Sequence, residues 1–556
     1  MATRCAWINF GMLCFAVSLP CIAVVPAATR DNQDFRKEVI AFVRAAVTTP
    51  TDTKAFLQPL QRLDRKWDNA YQRSDWQVQI TAYLAGRVCS TSAASGRYLP
   101  ETLLAASRQL WRPTCMAKAL ANARLQVTFS YYPSRVYSFI ESDHEGLELT
   151  GSRVAVRLVT TQRLVTQILR SKAYLQRVMH PSQYGFYKFY YADKDKAQTT
   201  LRTIYSSSSL YTLLKLNAWR PDPAIASVVE PIASFILSNQ SHKSPVSGAF
   251  DYSVNAKTGK HADKYVVGTT SKTIFTLLAL HQTYPSHPIY LKAAKAGGQW
   301  LVSMVKPDGR VMSSVTCKDA HCTMLSSQSL LYSGQVLSAL SRLYQETKQV
   351  TYDKAATRIA QHFLKRMETE GLILGDDYRP ANSISSSWVL LSLLDYARAH
   401  PQGVSISRLQ ALADTLIARQ IRDPADIFSD GRYRDAMTAS GNGWLNEVMG
   451  EMHRFCVEKH LSHCQRYQDA MVHTSRWLLQ NAYTPENTYN VQNPAHAIGG
   501  FITNFNTHSV RTDAVCHGVN SLLRLLTMVP PDAKLLTIPE RPLDEVLPLL
   551  RAGDAR

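Results

Sequence analysis

Beyond its first 27 residues this chain has no apolar run long enough to cross a bilayer. That excludes an integral membrane span. It also lacks a glycine-rich phosphate loop, a helix-turn-helix and any stacked aromatic–basic module, so nucleic acid is not an expected partner. Metal chemistry is poorly served as well: Cys317-Lys-Asp-Ala-His321-Cys322 is a lone cluster without a second ligand pair. No cofactor is expected. Acidic residues are the scarce charge, 43 Asp and Glu against 62 Lys and Arg, giving a formal net charge of +19. A field of that sign favours anionic partners, and for an exported chain these include acidic polysaccharide and phosphate-bearing polymer or lipid.

Export is what the N-terminus implies. Arg4 precedes an apolar run over 10–25, and Val25-Pro26-Ala27 suits cleavage, so 1–27 reads as a secretory signal. Leu19-Pro20 before Cys21 makes a poor lipid-anchor box. The expected location is periplasmic or secreted. Three of the ten cysteines fall in the signal. The rest suggest disulfides Cys317 with Cys322, Cys456 with Cys464 and, more loosely, Cys89 with Cys115, leaving Cys516 single.

Six glycines recur about sixty residues apart, a period that marks one supersecondary unit used repeatedly. They are Gly185, Gly248, Gly309, Gly371, Gly431 and Gly500. Amphipathic stretches precede them, as in 351–368, where Ala355, Ile359, Phe363 and Met367 share a face. Stretches of small, hydroxyl and apolar residues follow, as in 270–283, 327–344 and 384–396. The first kind suits an outer, solvated helix and the second an inner helix packed on both sides. Six such pairs over 161–528 predict a mostly α fold, an (α/α)6 toroid of six helical hairpins, with an open superhelix as the alternative. Residues 28–160 predict a small α+β N-terminal domain: 34–90 reads as helical with Trp67 and Trp76 in its core, and alternation around 143–146 reads as a β-hairpin. Residues 529–556 form a C-terminal tail.

In a closed toroid the inner-helix ends and their preceding loops converge on a cleft, so polar residues there take priority. In 499–526, Asp513, His517, Asn520 and Arg524 form one polar stripe, with Asn504, Asn506, His508 and Arg511 leading into it. A carboxylate beside an imidazole suits proton transfer; the same residues would also serve as a buried network holding helices in register. In 438–451, Trp444, Glu447 and Glu451 share a face, with Asn442 near the helix start. Trp stacks on sugars, and a carboxylate beside it suits acid, base or nucleophile roles. In 374–388, Asp376, Asp377, Tyr378 and Arg379 precede an inner helix.

Secreted six-hairpin toroids with charged clefts resemble carbohydrate-active enzymes. Arg511-x-Asp513 followed by Asn520-x-Leu522, the segment from Tyr332 through Gln335 and Arg342 to Tyr344, and Asp377-Tyr378-Arg379-Pro380 are similar to the C-terminal domain of D-glucuronyl C5-epimerases. The likeness covers roughly a fifth of the chain. Cys516-His517-Gly518 resembles the zinc-binding triplet of lanthionine cyclases, but their partner cysteine after a Trp is missing, since Leu445 follows Trp444. The resemblance implies an exported enzyme acting on an acidic, uronate-containing polysaccharide. For C5 proton abstraction (epimerase or lyase), His508, His517 or Tyr378 would be the base and Arg511 and Arg379 would neutralise the carboxylate. For hydrolysis, Glu447 would act with Asp513. Trp444, Asn442 and Asn520 would bind substrate. A non-catalytic polysaccharide-binding export or assembly factor is the alternative.

Overall fold

The computed structural model describes residues 27–48, 76–96, 99–110, 117–131, 134–142, 145–150, 153–318, 321–503 and 508–541. Residues 1–26 of the expected signal, Trp67, Cys115, Asn504, Asn506 and residues 542–556 of the tail lie outside them.

Six outer helices alternate with six inner ones. The outer set is α4 (Thr161–Val178), α6 (Pro223–Ser238), α8 (Pro288–Ser303), α10 (Val350–Glu370), α12 (Ile406–Ile417) and α14 (Gln465–Gln480). The inner set is α5 (Thr203–Trp219), α7 (Val267–Thr283), α9 (Leu330–Thr347), α11 (Ser383–Ala399), α13 (Ala439–Glu458) and α16 (Thr512–Leu526), with the single turn α15 (Pro494–Ala497) before the last. Each inner helix packs on the next, and α16 packs on both α5 and α4. The ring is therefore closed, and the open superhelix is excluded.

Glycine geometry explains most of the period, with Gly185 the exception: its φ is not positive and a Cβ there would meet only the Phe235 and Leu201 side chains. Gly248, Gly309 and Gly431 adopt positive φ, and a Cβ on each would overlap a main-chain carbonyl oxygen of the next outer helix, at Ala296, Arg358 and His473. In the last repeat this role falls to Gly499, not Gly500, and its contact is Arg170 on the first outer helix. Gly371 has positive φ but meets nothing. A second device ties three of the turns to their inner helices. The main-chain N–H groups of Phe186, Phe250 and Leu374 donate to the hydroxyls of Ser206 (2.9 Å), Thr270 (3.1 Å) and Ser386 (2.9 Å). These bonds give one hydroxyl near the start of each of these three inner helices a structural role.

The N-terminal segment is an antiparallel six-stranded sheet of order β2-β1-β3-β4-β5-β6. Its strands are β1 (Trp76–Leu84), β2 (Arg87–Gly96), β3 (Arg124–Tyr131), β4 (Ser134–Ser142), β5 (Glu145–Thr150) and β6 (Arg153–Val154). Helices α1 (Ala27–Thr48), α2 (Leu99–Gln109) and α3 (Ala117–Asn122) accompany it, and Phe35, Val39, Trp76, Phe129 and Phe139 fill one core. The β4–β5 hairpin matches expectation. The helical expectation for 34–90 holds through Thr48 and fails from Trp76 onward: Trp76, Val78, Ile80 and Ala82 alternate inward on a strand. The tail also pairs. Strand β8 (Lys534–Thr537) lies antiparallel to β7 (Leu158–Thr160), and Glu540 meets Arg36 of α1 at 3.2 Å. Disulfides Cys317–Cys322 and Cys456–Cys464 are present, Cys89 is disulfide-bonded, and Cys516 is free and buried.

Candidate active site

The first turns of all six inner helices surround a cavity of about 350 Å³. Their amide ends face it, so the local potential favours negative charge. Aromatic rings and cations alternate on its wall.

Two acid–base pairs stand at one side, both built on α16. His517 shares a 2.9 Å hydrogen bond between Nδ1 and Glu447 Oε1, which reaches across from α13. Arg511, the residue before α16, donates from Nε and Nη2 to the two carboxylate oxygens of Asp513 at 2.6 and 2.5 Å. This fork-to-fork geometry is the strong form of the Arg–carboxylate pair. Burial would raise both carboxyls, but His517, with Lys215 and Lys272 further off, holds Glu447 below its ordinary value. Arg511 does the same for Asp513. Both are therefore carboxylates at neutral pH.

Beside these pairs, Trp388 of α11 and Trp444 of α13 stack with centroids 3.6 Å apart and planes 13° from parallel. Trp444 also stands edge-on to His517 at 5.2 Å and donates its indole N–H to Ser387. Lys272 of α7 places Nζ 5.5 Å from the Trp388 ring and 5.6 Å from that of Trp444. Burial lowers its pKa. Tyr205, Tyr252, Tyr332 and Gln335 complete the wall with Arg379.

Of the residues expected from sequence, Asp513, His517, Trp444, Arg511 and Arg379 line this cavity and Glu447 contacts it through His517. Four others lie elsewhere. Tyr378 is 60% exposed on the rim, its hydroxyl donating to Ser329 at 3.1 Å. His508 packs beside Tyr483, outside the cavity lining, and burial and Arg153 lower its pKa. Asn442 is fully buried. Its oxygen accepts from the Tyr433 N–H at 2.9 Å and its amide donates to Ala436 and Thr438, so it repeats the turn-anchoring role of Ser206, Thr270 and Ser386. Asn520 is buried one turn below His517, its Oδ1 without a partner. Cys516 faces Ser209 of α5 while His517 faces Glu447, so the Cys-His-Gly triplet divides between two helix faces.

Lys272, Trp388, Tyr205 and Tyr252 were not anticipated, and Tyr332 and Gln335 were named only within the resemblance. Lys272 had a readable signal: it is the one Lys or Arg on an otherwise uncharged inner helix. Trp388 and the tyrosines look like ordinary core residues in sequence.

No protein-family model matches the chain, and no curated protein matches its sequence. Among solved structures, cellobiose 2-epimerase from Bacillus thermoamylovorans B4167 aligns with a TM-score of 0.51 at 9% identity, over 66% of this chain and 99% of that one. A D-mannose isomerase aligns with a TM-score of 0.51 at 10% identity, over 66% and 98%. At such identities the likeness is one of fold, and by fold this chain is an (α/α)6 toroid.

Proposed function

We propose that this chain is an exported carbohydrate-processing enzyme that moves a proton at a carbon of a uronate-containing polysaccharide, with His517 as base. The observation that carries this reading is the 2.9 Å His517–Glu447 pair at an aromatic-walled cavity. With its hydrogen bond to the Glu447 carboxylate, Nδ1 keeps the ring proton, which leaves Nε2 as the basic nitrogen. The C5–H of a uronate is acidified by its own carboxylate. Its removal to Nε2 puts charge on the carboxylate oxygens, where Lys272 and Arg379 offset it. Tyr205 and Tyr332, which burial holds protonated, are donors for the return of a proton. Return to the opposite face gives the epimer; expulsion of the C4 substituent gives the unsaturated sugar of a lyase. The Tyr252 and Tyr332 rings on the wall offer faces for the sugar, and Trp444, covered by Trp388, backs them.

Hydrolysis is less well supported. It needs one carboxyl that keeps its proton for the leaving group, whereas Glu447 and Asp513 are both held ionised. The two fold relatives are named for an epimerase and an isomerase. Export is supported by the disulfides Cys317–Cys322 and Cys456–Cys464.

The test is proton NMR in deuterated water with several uronate polysaccharides. Loss of the C5 proton signal with wild type, and its retention with His517→Gln, is expected. Chain shortening without exchange, or binding without any product, would overturn the proton-transfer reading.

A further inference from the structure

Outside the cavity, a second groove of about 640 Å³ runs along outer helix α10, between it and the turns that carry Arg310 and Asp377. Its charges are unevenly matched. Arg310 meets Asp377 at 3.2 Å and Arg366 meets Glu370 through two hydrogen bonds, so these four groups neutralise one another. Asp308 also lines the groove, its Oδ1 accepting from the Arg310 main-chain N–H at 3.0 Å, while Arg358 and Lys365, two turns apart on the same helix face, form no ion pair among the described residues. The Arg358 Nε is buried without any hydrogen-bond partner.

The groove adjoins the cavity. Asp377 lines the groove and Arg379 lines the cavity, and between them stands Tyr378, 60% exposed. Its hydroxyl is held by Ser329 and the Arg379 guanidinium lies 5.1 Å from its ring centroid, so the ring is presented at the rim in a fixed pose. A cavity arginine that Asp376 holds by an ion pair, an exposed aromatic face and a pair of groove cations without ion-pair partners thus follow one another along one edge.

We propose that this edge is an outer subsite for an acidic oligosaccharide: the strand leaves the cavity past Arg379, stacks one ring on Tyr378, and sets an anionic group against Arg358 and Lys365. It extends the function proposed above from a single uronate to a polyanionic chain. Each added contact acts intramolecularly once the cavity is filled, so affinity grows with length.

Calorimetric titration with oligogalacturonides from dimer to octamer tests this, with cello-oligosaccharides of equal length as neutral controls. Wild type is expected to gain about tenfold in affinity over the series, a gain that shrinks with added salt. Arg358→Ala/Lys365→Ala should flatten the gain while dimer affinity stays unchanged, and the exposed-site variant Lys365→Glu should act in the same direction. Tyr378→Ala should remove part of it for both ligand classes. A length dependence that survives the double variant, an equal charge-independent gain with the neutral series, or no gain at all would overturn the subsite. Failure of the proton-transfer reading looks different: length-dependent binding would persist without deuterium exchange.

Discussion

Gly443 of α13 lies against the backbone of α16, where a Cβ would stand 3.0 Å from the Gly518 nitrogen and 3.1 Å from the His517 carbonyl carbon. This contact sets how near the two inner helices come. One turn further on, Glu447 and His517 meet across the gap it defines. Gly443→Ala should therefore push backbone against backbone, at a cost of about 1–3 kcal/mol. Denaturant unfolding should register that loss, and proton exchange should fall more than substrate affinity.

Glu447→Gln keeps the shape but not the charge, so His517 loses its orienting carboxylate. Turnover is expected to drop by about 10²–10⁴, with KM little changed. Steady-state kinetics over a range of pH would detect it. An unchanged rate would remove His517 as the base.

The folded-state pKa of Asp513 lies below its unfolded value, because Arg511 more than offsets burial. Stability from the pair is thus complete above the unfolded carboxyl pKa and is lost as pH falls through the folded one. Asp513→Asn should cost about 3 kcal/mol at neutral pH, where it strands the Arg511 guanidinium. Thermal melts between neutral pH and pH 3 should show the difference from wild type narrowing as acid is added.

Lys272 carries its charge only below a pKa that burial has lowered. Anionic sugars should therefore bind more weakly as pH rises, from a lower pH than an ordinary lysine would give. Lys272→Met should abolish that dependence and leave neutral sugars unaffected. Quenching of Trp444 and Trp388 fluorescence is the readout.

Asn442 anchors a turn, so Asn442→Ala should cost about 1–2 kcal/mol. Asn442→Ser should recover most of it, because serine fills the same position in two other repeats. A loss of turnover in the serine variant without a loss of stability would instead return Asn442 to the substrate.

The glycine period, the outer and inner helix characters and two disulfides were legible because each rests on local chemistry. Positive φ selects glycine, a solvated face selects charge, and nearby cysteines in sequence are near in space. The β1–β2 hairpin was missed because Trp76 was read as a core residue of a helix, although Trp76, Val78, Ile80 and Ala82 alternate with period two. His517 and Glu447 were each recognisable as polar residues on apolar helices. Their partnership was not, since 70 positions separate them and only the helix packing supplies the contact.

By itself, then, the sequence determined the repeat, its six-fold count and the type of residue along each inner helix, all set by neighbours within a few turns. Ring closure, the division of Cys516 from His517, the demotion of Asn442 and His508 from the cavity, and the entry of Lys272 and Trp388 into it were decided by tertiary structure. Those depend on which faces of distant helices meet, and close packing of backbones settles that only once the ring is complete.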